Sequence, residues 1–93
     1  MRFIIQCYLA AQTDEQRLAL RPVHLRYIQA HKEQIFCGGP AVDAAGNPEM
    51  MLIILDAPDI AAAEAFIQAE PYNQARIFAQ VTVRPWRQIL PEE

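Results

Sequence analysis

The stretch EMMLIILD (49–56) restricts the fold more than any other part of the chain. Its six central residues are apolar in both alternating sets, Met51, Ile53, Leu55 and Met50, Leu52, Ile54. As a strand it therefore shows an apolar side to each face of a sheet, the pattern of a central strand covered twice. A chain of 93 residues has material for one core and no second domain, so we read residues 1–93 as a single domain. Its own helices can cover one face. The other needs a cover from outside, because an exposed apolar patch of that size is rare on a monomer, and a second copy is the simplest one. The expectation is a homodimer through the open sheet face.

The remaining segments fix the order of elements. RFIIQCYL (2–9) is rich in β-branched and aromatic residues and reads as a mostly buried strand. TDEQRLAL (13–20) opens a helix, with Thr13 as N-cap and Gln16 three positions on, the spacing of a capping box. Pro22 lacks an N–H and disfavours the helical conformation at Arg21, which predicts a bend or a fresh helix start before PVHLRYIQAHKEQ (22–34). IFCGGPAVD (35–43) is a glycine-weakened strand, and AAGNP (44–48) is a turn leading into the doubly apolar strand. Asp59 caps a second helix over 60–70, stopped by Pro71, and PYNQAR can add one more turn. Ile77, Ala79, Val81 and Val83 alternate with polar residues in a last strand ending near Pro85, followed by a frayed tail, LPEE.

The resulting βαββαβ order has the ferredoxin-like sandwich as its common compact solution, an α+β fold with a four-stranded antiparallel sheet and two helices on one face. In that arrangement the third strand separates the first from the second. Cys7 and Cys37 then lie roughly 9–10 Å apart, beyond disulfide reach, and should be free thiols.

Composition narrows the function classes. A formal net charge of -3 argues against general affinity for nucleic acid or an anionic membrane. No apolar run approaches the ~20 residues of a membrane span, and the N-terminus does not read as a signal peptide, so a soluble cytoplasmic protein is expected. The chain contains no serine, which removes serine-hydrolase chemistry. The two cysteines have no metal-ligand spacing, and His24 and His31 are seven apart rather than three or four; neither a metal site nor a cofactor is expected. The βαββαβ order is also that of RNA-recognition domains, but EMMLIILD has no aromatic on which a base could stack.

LRPVHLRY (20–27) carries the candidate chemistry. At about 100° per residue, Leu18, Leu20, Val23, Leu25, Tyr27 and Ile28 share one broad arc, and Arg17, Arg21, His24 and His31 fall inside it. Cations on an apolar arc need partners, unless the arginines reach the rim and His24 is a hydrogen-bonded core residue. Arg17, Arg21 and His24 can converge on one ligand. Glu70 stands at the end of the second helix, where the negative end of the macrodipole disfavours a carboxylate and a nearby cation would offset it.

RLALRPVHL, GGP, AEPY and VTVRPW, in this order and spread over nearly the whole chain, resemble the successive signatures of the YCII-related domain family. The resemblance implies a dimeric α+β barrel architecture, related to that of muconolactone isomerases, and a cleft with a histidine–carboxylate pair. Carried over, the catalytic pair is His24 and Glu70, glutamate standing where the family usually has aspartate. Arg17 and Arg21 match basic positions of the helix, Gly39 and Pro40 the Gly-Pro, and Pro71 and Tyr72 the turn; Arg17, Arg21, Gly39, Pro40 and Tyr72 are the candidate substrate-binding residues.

A carboxylate on one ring nitrogen of His24 would orient the ring and leave the other nitrogen to move a proton. Arg21 or Arg17 could hold a substrate carboxylate, and Tyr72 could donate to a carbonyl oxygen. Such a set suits an isomerase or an eliminating lyase acting on a small organic acid or lactone. The alternatives are a non-catalytic module that binds a small anionic metabolite, and a haem-handling protein with His24 as axial ligand, which the neighbouring arginines fit less well.

Overall fold

The computed structural model describes residues 1–92; Glu93, the end of the LPEE tail, lies outside them. The elements are β1 (Arg2–Leu9), α1 (Asp14–Ala30), β2 (Ile35–Val42), β3 (Pro48–Asp56), α2 (Ile60–Gln68), α3 (Pro71–Gln74) and β4 (Phe78–Trp86). The sheet runs β2-β3-β1-β4, antiparallel throughout. EMMLIILD is thus an inner strand. This is the ferredoxin-like sandwich expected from the order of elements, with α3 as an additional helical turn.

The barrel implied by the family resemblance is not present. The sheet is open, with β2 and β4 as its two separate edges. The reason is geometric: a sheet closes on itself with about eight tilted strands, and this chain supplies half that number.

The core lies between the helices and one face of the sheet. Phe3, Ile5 and Cys7 of β1 are wholly buried, and Ile53 and Leu55 of β3 lie beside them, with Ala63, Phe66 and Ile67 of α2 closing the layer from above. Each such side chain contributes about 1.5–3 kcal/mol of burial. On the opposite face Ile54 is also buried, between its cross-strand neighbours Ile4 and Cys37, while Met50 and Leu52 remain half-buried.

The structure refines the local reading of three elements. α1 is one continuous helix through Pro22, with no fresh start there. Thr13 precedes α1 but forms no side-chain cap; its hydroxyl donates to the Ala10 carbonyl instead, at 2.8 Å. α2 ends at Gln68 with Ala69 as its C-cap, and Glu70, the next residue, is at the same time the N-cap of α3, where its carboxylate accepts from the Tyr72 N–H. The AAGNP turn forms as read, with the Asp43 carboxylate accepting from the Ala45 and Asn47 N–H groups and Gly46 at φ 88°. Those hydrogen bonds, chiefly that from Asn47, hold the Asp43 carboxyl below its ordinary range.

The two helices sit differently on the sheet. α2 packs on β1 and β4, whereas α1 makes its main helix contact with α3. Over β2 and β3 a space is left beneath α1.

Candidate active site

That space is a cavity of about 330 Å³. Arg17, Arg21 and His24 enter it from α1, Gly39 and Pro40 from β2, and Tyr72 from α3. The six residues come from three separate parts of the sequence. Glu70 stands behind His24, fully buried.

His24 is the one buried residue of α1. Its Nδ1 lies 2.5 Å from Glu70 Oε1, and Glu70 Oε2 accepts from the Tyr72 N–H at 3.1 Å. With Glu70 as the carboxylate, which only accepts, the proton of this contact sits on Nδ1. The other ring nitrogen, Nε2, has no partner among the described residues. The imidazole lies parallel to the Tyr72 ring, 4.0 Å between centroids and 4° between planes. Tyr72 thus holds both members of the pair, His24 by its ring and Glu70 by its backbone.

The Tyr72 hydroxyl donates to the Arg17 carbonyl at 3.1 Å. Burial pushes its ionisation above the ordinary range, the charges of Arg21 and Arg17 pull it back, and Glu70 adds to the rise. Arg17 pairs with Asp14 across one turn, 3.2 Å apart. Arg21 is exposed and makes no ion pair with any described residue.

Most of the wall is apolar, including Leu25, Ile28, Ile35, Met51, Ile53 and Phe78. The sequence showed both sets of this strand as apolar without saying which faces the helices, and it could not separate core from cavity wall: Ile53 belongs to the core, Met51 packs against it, and both border the cavity. The parallel stack of His24 on Tyr72 also left no sequence signal beyond the AEPY turn itself.

The thiols stand apart from this chemistry. Burial, reinforced by the Glu70 charge, pushes Cys7 up to about 12, so it stays protonated near neutrality, and Cys37 is exposed on the edge strand. Among the described residues no cluster of three or more His, Cys, Asp or Glu side chains could hold a metal ion. Among them, too, no helix is long and apolar enough to cross a membrane.

The model of the YCII-related domain family matches residues 1–87. The chain belongs to that family. It is 31% identical to Protein YciI of Escherichia coli O6:H1 over 96% of its own length and 99% of the relative's, and the Shigella flexneri YciI matches equally. Among solved structures it is similar to a 5-chloro-2-hydroxyhydroquinone dehydrochlorinase from Burkholderia phenoliruptrix in complex with 2,5-dihydroxybenzoquinone, with a TM-score of 0.86, 24% identity and 94% of each chain covered. An antibiotic biosynthesis monooxygenase shares the fold at a TM-score of 0.54 and 18% identity, over 95% of this chain and 97% of that one. At these identities the two structures speak for the fold, and the chemistry of this YCII-related chain rests on its own side chains.

Proposed function

We propose that His24 and Glu70 act as a general acid–base pair on a small organic acid or lactone, as an isomerase or an eliminating lyase. The observation that carries this reading is the buried Glu70 carboxylate on Nδ1 of an imidazole whose Nε2 has no partner among the described residues and whose ring borders the cavity. In the proposed step Nε2 accepts a proton from the carbon beside the substrate's carbonyl or carboxylate. Glu70 keeps the ring oriented and stabilises the imidazolium, while Arg21 and Arg17 offset the charge of the anionic substrate and its enolate. The imidazolium then returns the proton at another carbon in an isomerisation. In an elimination, a leaving group departs from the β-carbon with its electron pair as the C=C bond forms. The fold-related dehydrochlorinase bears the name of an eliminating enzyme, which supports the second branch.

The test is incubation in ²H₂O with a panel of small carboxylic acids and lactones, followed by ¹H NMR. Exchange or conversion that disappears in His24→Ala, with the fold intact, supports the pair. Saturable binding of these compounds with neither exchange nor conversion makes the protein a binding module instead.

The same reading includes a second copy laid against the bare sheet face. Met50 and Leu52 are half-buried there, and Phe36 and Tyr8 are exposed at 46% and 39%. The face also carries a polar row, with Arg84 Nη2 donating to Gln6 Oε1 at 2.7 Å. Light scattering on the eluted protein should give twice the chain mass, and Leu52→Arg should shift it toward one; a wild-type monomer at micromolar concentration would sink this part.

A further inference from the structure

We infer that the cavity selects organic monoanions with an apolar body, aryl or branched-alkyl acids, over dianions and over small polar acids. This rests on the reading of the cavity as the substrate site and adds to it the class of compound.

Three observations carry it. The first is the charge inventory. The lining contains Arg17, Arg21 and His24 and no carboxylate, since the neighbouring acid, Glu70, is fully buried with both oxygens engaged by His24 and Tyr72. The site is therefore cationic toward a ligand. The second is how those cations are committed. Arg17 is already paired with Asp14, and Arg21 has no anionic partner among the described residues. One uncommitted guanidinium matches one anionic group. The third is the distribution of polarity. The cations stand on α1, and the wall opposite, on β2 and β3, is formed by glycine, proline and aliphatic residues, Ile35, Met51 and Ile53 among them, with no charged side chain. A ligand held at Arg21 thus lays its body against hydrocarbon. A second carboxylate at the far end of that body would lose its water without gaining a partner, which is the costly way to bury charge. A body of two carbons would leave the apolar wall unfilled.

The experiment is a ¹H–¹⁵N titration of the whole protein at neutral pH with 4-methylbenzoate, terephthalate and acetate. The first two have the same shape and differ in a methyl against a second carboxylate. None of the three needs to react, so the result is independent of turnover. The expected result is shifts at His24, Gly39 and Ile53, with 4-methylbenzoate binding at least tenfold more tightly than either other probe. Arg21→Gln should weaken it about tenfold with the fold unchanged, since Arg21 is exposed and forms no ion pair among the described residues. Equal or tighter binding of terephthalate, no shifts at the cavity with 4-methylbenzoate, or indifference to Arg21→Gln would each overturn the inference. If the preference holds while no acid or lactone of the deuterium panel is exchanged or converted, the inference stands and proton transfer falls.

Discussion

His24 and His31 lie two turns apart on one helix, on nearly the same side, and each uses Nδ1 for a hydrogen bond and a tyrosine ring for packing. His24 meets the Glu70 carboxylate at 2.5 Å and stacks flat on Tyr72; His31 meets the Tyr27 carbonyl at 2.8 Å and leans on Tyr27 and the edge of Phe66. The partner of Nδ1 separates them. A backbone carbonyl fixes a ring at a helix end, where it helps close α1. A buried carboxylate can in addition stabilise the ring's positive charge, which a proton acceptor needs and a cap does not. The second difference is what lies beyond the ring: the cavity for His24, and for His31 the side of α2.

The largest effect that tests this contrast is on proton transfer. His24→Ala should reduce solvent-deuterium exchange into a responsive substrate by roughly a hundred- to ten-thousand-fold, the range for loss of a general base. His31→Ala should leave the rate within about threefold. Equal losses in the two variants would abolish the distinction drawn between the histidines.

Stability should separate the two sites as well. Glu70→Ala leaves the His24 Nδ1–H and the Tyr72 N–H without their acceptor inside the protein, and urea unfolding should show a loss of about 3–5 kcal/mol. His31→Ala removes one hydrogen bond and two ring contacts at a half-buried position, for about 1 kcal/mol. A loss below 1 kcal/mol in Glu70→Ala would mean that the carboxylate is not held as tightly as its burial requires.

Neither histidine could be told from the other by periodicity. Both fall within the apolar arc of the helix, and their seven-residue spacing keeps them in phase. What separates their surroundings is a residue 46 positions from His24, and the AEPY stretch brought Glu70 into view, as a carboxylate at a helix end in want of a cation and then through the family pattern. The strands were legible because alternation and double-sided apolarity are local properties, and they placed EMMLIILD inside the sheet. Elsewhere the residue types alone did not decide the outcome. Pro22 is carried within a continuous α1, as packing over the rest of the helix outweighs one missing backbone bond. The Thr13 hydroxyl found a nearer acceptor at Ala10. Leu18, assigned to the apolar arc, is 74% exposed, because α1 stands off the sheet. That same separation makes the cavity, and no residue pattern within α1 announces it.

The Glu70 charge is also felt beyond His24, and alkaline unfolding sharpens this. Burial first, and Glu70 second, raise Cys7 from its ordinary 9.0 to about 12, and the same two causes raise Tyr27, on the His31 side. A thiol whose folded value is raised stabilises the protein fully below pH 9 and loses that contribution as pH climbs toward 12, because the unfolded chain ionises first. The loss approaches about 4 kcal/mol across this window, at ~1.4 kcal/mol per pH unit. Cys7→Ala should flatten the alkaline limb of a stability–pH profile measured by urea unfolding between pH 8 and 11. An unchanged slope would show that Cys7 is not the group responsible.

The smallest effects come from the two tyrosines that pack on the histidines. Each donates its hydroxyl to a backbone carbonyl, Tyr72 to Arg17 and Tyr27 to Phe66, so either Tyr→Phe change should cost about 1 kcal/mol and look alike in unfolding. They should differ in proton transfer. Tyr72→Phe keeps the ring under His24 but releases the carbonyl of Arg17 on the cavity wall, so a change of a few-fold in exchange rate is expected. Tyr27→Phe touches only the His31 side and should leave exchange unaltered. If Tyr27→Phe slows exchange as much as Tyr72→Phe, the two ends of α1 act as one unit, and the contrast between its histidines is one of degree.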